Sequence, residues 1–107
     1  MAERVRIAVV QLCVDDRLDH ASIRDQLREL GYQVYDTADL GNGFPDLLVV
    51  TRSDLAVLLE IKTGDADFTE AEKEFWWVYR GPKGVATTLE SALRTLEYYD
   101  GYIMEMI

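Results

Sequence analysis

The chain has 107 residues, 49% of them hydrophobic, with a single cysteine. That is enough for one small domain with a buried core, and it excludes a disordered chain, an internal disulfide and a multi-cysteine zinc site. Twenty acidic against eleven basic residues leave a net charge of −9, so any binding to nucleic acid has to come from a local basic patch, a bound metal or a partner, since Lys and Arg on phosphates supply most of such affinity. No apolar run reaches the length of a membrane span and no signal peptide is evident, which leads us to expect a cytoplasmic protein. The apolar segment Ile7–Val14 is interrupted by Gln11 and followed by Asp15-Asp16, and Cys13 within it reads as a small core residue.

In chain order, Arg4–Val14 reads as a first strand, rich in β-branched residues. A helix is expected over Asp19–Leu30, with Asp19 as cap, Ile23, Leu27 and Leu30 at helical spacing, and Gly31 as the stop. Tyr32–Tyr35 is a short strand. Asp39–Pro45 is a loop whose Gly41-Asn42-Gly43 permits positive φ and close backbone approach. The apolar runs Asp46–Val50 and Leu55–Lys62, joined by Thr51-Arg52-Ser53-Asp54, predict a hairpin.

Alternation puts Asp46, Leu48 and Val50 on one face of that hairpin with Ala56, Leu58, Glu60 and Lys62, and Leu47, Val49, Leu55, Val57, Leu59 and Ile61 on the other. Strands apolar on both faces predict an α/β layered architecture. Thr69-Glu70-Ala71-Glu72 carries the pattern of a capping box at the start of a second helix. Phe75, Trp76, Val78 and Tyr79 are its expected apolar face, and Gly81-Pro82-Lys83-Gly84 its end. Val85–Thr88 is expected as a strand, Ser91–Tyr98 as a last helix and Gly101–Ile107 as an added edge strand. The predicted order is β-α-β-β-β-α-β-α with a possible final β.

The hairpin would return Asp46 to the side of Glu60 and Lys62. Magnesium prefers oxygen ligands and typically takes one or two protein carboxylates, completing its shell with water and phosphate. Asp46 and Glu60 would supply those carboxylates, and the backbone carbonyl of Ile61 a third oxygen if it points out of the ladder. Lys62, on the same face as Glu60, is placed to orient an attacking water. Neighbouring carboxylates favour its charged form, which fits electrostatic positioning better than base catalysis. Such a set suits metal-assisted cleavage of a phosphodiester.

The stretch Gly41-Asn42-Gly43-Phe44-Pro45-Asp46-Leu47-Leu48-Val49, with Leu58-Leu59-Glu60-Ile61-Lys62, resembles the PD-(D/E)XK nuclease superfamily. Within it the chain is most similar to the small stand-alone VRR-NUC domains of phages and prophages. The likeness extends to His20-Ala21-Ser22-Ile23, to Phe68-Thr69-Glu70-Ala71-Glu72 with Phe75, to Arg80-Gly81-Pro82 and to Ser91-Ala92-Leu93. It covers residues 17–96 of a single domain, with 1–16 as an N-terminal extension strand and 97–107 as a tail.

The resemblance implies a restriction-endonuclease-like mixed β-sheet flanked by helices. It also implies a Mg²⁺- or Mn²⁺-dependent endonuclease acting on structured DNA such as Holliday junctions, and a homodimer working inside a bacterial or phage-infected cell. It makes Asp46 and Glu60 metal ligands and Lys62 the catalytic lysine. In this chain Ser22 stands where the family usually carries a helix glutamate that completes the metal site. Asp19 and Asp25, each three residues away, are the acids that the helix offers instead.

Three groups of residues complete the expectations. His20 and Glu72 are candidates to line the site, although the capping box alone accounts for Glu72. Lys73, Arg80 and Lys83 would form a phosphate-binding rim, or else are ordinary surface bases. Of the adjacent Trp76 and Trp77, one is expected in the core and the other free to stack on a base or sit in an interface. A catalytically weakened relative that binds nucleic acid or a protein is the competing expectation, favoured by Ser22 and the net charge.

Overall fold

A computed structural model describes residues 19–62 and 67–106 of the chain. The strand expected over Arg4–Val14 lies outside the described residues. Among those described, three α-helices and four strands make a mixed α/β fold: α1 (His20–Glu29), β1 (Gln33–Asp36), a single 3₁₀ turn (Ala38–Leu40), β2 (Leu47–Val50), β3 (Ala56–Ile61), α2 (Glu70–Val78), β4 (Lys83–Ala86) and α3 (Leu89–Met106). The sheet runs β1-β2-β3-β4 in space, antiparallel across the first two joins and parallel between β3 and β4.

Local chemistry sets the ends of α1. The Asp19 carboxylate accepts the Ser22 N–H at 2.7 Å, and Gly31 follows the helix at φ +95°. There Tyr32 N donates to Leu27 O and Gly31 N to Arg28 O. That is a Schellman closure, which requires the left-handed conformation that glycine supplies at no steric cost. The β2–β3 turn closes with Asp54 at φ +65°, Thr51 N donating to Leu55 O at 2.8 Å and Leu55 N donating back to Thr51 Oγ1 at 3.1 Å. The Asp100 carboxylate of α3 takes both the Ser53 N–H and its hydroxyl, pinning the turn to the last helix.

The two faces of the sheet are covered differently. Leu47, Val49, Val57, Leu59 and Ile61 form one dry core with Ile23 and Leu27 of α1 and Ala92, Leu93 and Leu96 of α3. On the other face Leu58 and Glu60 are buried while Leu48 and Val50 are half-buried. Here α2 packs through aromatic contacts: Phe44 meets Phe75 edge-on at 5.1 Å, Phe75 stacks on Tyr79 at 5.4 Å, and Phe68 lies against Trp76 at 5.8 Å. The face of α2 turned to the sheet therefore consists of Phe75, Trp76 and Tyr79. Val78, expected among them, is exposed, as is Trp77 at 88%.

Three expected boundaries move. The edge strand expected at Gly101–Ile107 is replaced by helix, because α3 runs unbroken from Leu89 to Met106. A glycine at position 101 costs a helix only about 1 kcal/mol, less than the packing of the preceding turns returns. Helix α2 stops at Val78, with Tyr79 as its C-cap, four residues before the Gly-Pro-Lys-Gly segment reaches Lys83. That segment instead enters β4, where Leu58 N donates to Pro82 O at 3.1 Å and Lys83 pairs in register with Leu58.

Candidate metal and lysine site

Asp46 is the residue just before β2 and Lys62 the residue just after β3. The hairpin register sets Leu47 opposite Leu59. One step further along the ladder, Asp46 falls opposite Glu60 and Pro45 opposite Ile61, on neighbouring strands whose opposed Cβ atoms lie about 5 Å apart. The sequence-predicted Asp46, Glu60 and Lys62 thus gather at one end of the hairpin, on the face covered by α2.

Proline gives this end its character. Odd-numbered residues of β3 turn their backbone groups toward β2, and even-numbered ones bond β4, as in Lys62 N to Ala86 O at 3.0 Å. Opposite Ile61 stands Pro45, which has no N–H to give. The Ile61 carbonyl consequently has no ladder donor at that position. The Ile61 N–H, facing the same strand, is taken by the Asp46 carboxylate, Oδ2 accepting at 2.9 Å. Thr37 holds the Pro45-Asp46 backbone from the far side: its Oγ1 donates to Pro45 O at 2.7 Å and its N–H to Asp46 O at 2.8 Å. Pro45 is itself fully buried, so the approach of Asp46 is fixed by backbone, not by a flexible loop.

Lys62 is held from several directions. Its Nζ lies 2.7 Å from Glu72 Oε1 and 3.4 Å from Glu60 Oε2. It donates to the Asp67 carbonyl at 3.1 Å and sits 5.1 Å from the centre of the Phe68 ring. Only 14% of its side chain is exposed. Asp67 and Phe68 are the contributors that sequence reasoning missed; a carbonyl and a ring acting on a lysine five and six residues earlier leave no pattern to read.

The electrostatics follow from crowding. Burial, the hydrogen bond with Glu72, and the charges of Asp46 and Glu72 push the Glu60 carboxyl up to about 8, against the pull of Lys62. Burial also works against ionisation of Glu72, but hydrogen bonds from Lys62 and from the Thr69 N–H outweigh it and hold Glu72 down to about 2. Lys62 is raised: desolvation opposes its charge, yet Glu72 and Glu60 more than compensate. At neutral pH the ion-free cluster is a neutral Glu60, an ionised Glu72 and an ammonium.

The remaining predicted residues are placed elsewhere. His20, at the start of α1, faces Asp36 at 3.6 Å. Asp36 also takes Arg24 at 2.6 Å and lies, like Val34, on the α1 side of β1. Ser22 accepts a hydrogen bond from the buried Gln26 amide at 3.0 Å. The two acids that lie three residues from Ser22 are engaged where they are: Asp19 caps the helix, and the exposed Asp25 pairs with Arg24 at 2.9 Å. Lys73 lies exposed beside Glu70 at 3.6 Å, and Arg80 is exposed. The Lys83 ammonium donates to the Trp76 and Tyr79 carbonyls, closing the C-terminus of α2 where a cation is favoured.

Among the described residues no three of His, Cys, Asp and Glu are grouped so as to hold a metal ion by side chains alone. The oxygen groups at this end of the hairpin are the Asp46 and Glu60 carboxylates, which the register sets opposite each other, and the Ile61 carbonyl. That all-oxygen set fits the chemistry of Mg²⁺ or Mn²⁺, which complete their shells with water and phosphate. No family model, no curated protein and no solved structure matches the chain.

Proposed function

We propose that this chain is a metal-dependent DNA endonuclease of the PD-(D/E)XK superfamily, similar to VRR-NUC domains and acting on branched DNA. The observation that carries this reading is the convergence of Asp46, Glu60 and Lys62 at the end of one hairpin, beside a backbone carbonyl that Pro45 deprives of its ladder partner. A cytoplasmic homodimer belongs to the same reading. No described helix is long and apolar enough to cross a membrane.

In this reading Asp46, Glu60 and the Ile61 carbonyl would hold Mg²⁺ or Mn²⁺. Such an ion would supply Lewis-acid polarisation of a phosphoryl oxygen and a more nucleophilic water at neutral pH. Glu60, whose carboxyl burial and the neighbouring acids push up to about 8, would have to give up its proton to become a ligand. Lys62 remains charged, and the donor not taken by Glu72 or the Asp67 carbonyl would turn to the attacking water or the phosphate, neutralising charge that develops there. Pro45 and Thr37 keep the Asp46 carboxylate from drifting.

A second reading, a nuclease-fold protein that binds DNA or a protein without cutting, is favoured by one observation. Ser22 is bonded to Gln26 and neither Asp19 nor Asp25 is free to replace a helix carboxylate. The deciding experiment is cleavage of a labelled four-way junction, a linear duplex and single strands with Mg²⁺ or Mn²⁺ at low salt, with Lys62→Ala in parallel. The nuclease reading expects ion-dependent cutting that falls at least about 100-fold in the variant. No cutting by folded wild-type protein overturns it in favour of the second.

A further inference from the structure

We infer that Glu72 is a positioning residue for Lys62, and that the first turn of α2 is the platform on which both halves of the site are aligned. The inference rests on the nuclease reading and deepens it. Lys62 carries a four-carbon stem with about 2 kcal/mol of rotamer entropy and leaves the sheet as soon as β3 ends. Within the strand only Glu60 reaches its ammonium, and at no closer than 3.4 Å. The shortest contact that does so comes from another element, Glu72 Oε1 at 2.7 Å.

Glu72 is fixed in turn. The same Oε1 accepts the Thr69 N–H at 2.8 Å, while the Glu72 N–H donates to Thr69 Oγ1 at 3.2 Å, closing the capping box from both sides. A box carboxylate points back over the helix N-terminus by construction, and here that direction is toward the end of β3.

The neighbouring residue of the same turn seats the other half. Gly43, at φ +80°, approaches α2 so closely that a Cβ there would stand 2.1 Å from the Ala71 carbonyl oxygen. Phe44 continues the contact against Phe75, and Pro45-Asp46 follow directly. Two consecutive residues of one helical turn, Ala71 and Glu72, therefore set the loop that delivers Asp46 and the lysine that follows β3.

The test compares Glu72→Gln with wild type on a four-way junction at saturating Mn²⁺. Glutamine closes a capping box as glutamate does, so the urea midpoint is expected to stay put. A positioning role expects kcat to fall about 10- to 100-fold, the scale on which misplacement of a reacting group acts, with KM little changed. Adding Glu72→Gln to Lys62→Ala should cost nothing further, because the two residues act as one unit. A purely capping role expects wild-type kcat in Glu72→Gln, or additive losses in the double variant, and either result overturns the inference.

A readout without DNA keeps the two proposals apart. In ¹⁵N-labelled protein, the ammonium signal that vanishes in Lys62→Ala should be sharp in wild type and broadened by exchange in Glu72→Gln. An unchanged signal overturns the positioning role. A lost signal in a protein that cuts no substrate overturns the nuclease reading alone.

Discussion

The first turns of α1 and α2 are built alike and do different work. Each begins with a capping side chain, Asp19 or Thr69, that accepts the N–H of the residue three positions on, Ser22 or Glu72. At that third position α2 carries a carboxylate, which returns to the cap and has an oxygen to share with Lys62. Helix α1 carries a hydroxyl there, too short to leave its own helix, and it meets Gln26 one turn on. The comparison shows how a motif whose local purpose is helix initiation becomes part of a site when the next element lies within reach of one longer side chain.

The largest effect should come from Gly43→Ala, which destroys the seat of α2. The new Cβ meets the Ala71 carbonyl at 2.1 Å in a backbone region that L-residues avoid. We expect a loss of about 3 kcal/mol in urea denaturation; a loss below about 1 kcal/mol would mean that the loop and α2 separate without cost. Next come the two caps. Thr69→Ala and Asp19→Ala should each cost about 1 kcal/mol of stability, but only Thr69→Ala should also lower cleavage of the junction, since only its helix serves the lysine. Equal activity in the two variants would erase the asymmetry.

Acid–base behaviour sharpens the comparison further. The pKa of Glu60 is raised from 4.5 to about 8, so the stability this group contributes is present below pH 4.5 and lost as the pH rises through about 8. Glu72 is lowered to about 2, so its contribution is present above pH 4.5 and lost as the pH falls toward 2. In ion-free protein the α2 side of the fold should be most stable near pH 4.5. Glu60→Gln should flatten the decline between pH 4.5 and 8 and leave the acid limb intact, as read from denaturation midpoints across pH. A decline that persists in the variant would assign it to other groups.

The smallest effect is expected from giving α1 what α2 already has. Ser22→Glu should tighten Mn²⁺ binding by about tenfold in calorimetric titration if that helix faces the ion. No gain would show that the N-terminus of α1 stands apart from Asp46 and Glu60.

Much of this layout was readable before folding. Asp19 before an apolar i, i+4, i+7 series, Gly31 after it, and Thr69 three residues ahead of Glu72 are local instructions, and the helices start where they say. The hairpin was legible because Leu47–Val50 and Ala56–Ile61 are apolar runs with charges only at one end, so a single turn brings those charges together. Misreadings arose where local signals compete with packing. Gly101 suggested a break, yet α3 continues through it. Gly81-Pro82 suggested a helix end and a later strand, but Lys83 is drawn into register with Leu58 while its ammonium closes α2. Val78 fits the apolar stripe of α2 by type, but the sheet is met by three aromatic rings, and Val78 and Trp77 are left outside.

The sequence by itself determined which residues could do chemistry here: an acid after a proline, an acid and a lysine two apart at a strand end, and a capping box. These are properties of residue type and spacing along one chain. Only the tertiary structure decided that the capping-box glutamate belongs to the lysine, that Pro45 leaves the Ile61 carbonyl without a ladder donor, and that His20 turns to Asp36. Each of those depends on distances between elements far apart in sequence. Such distances are fixed by how apolar faces pack, and no local pattern encodes which polar groups that packing brings within 3 Å.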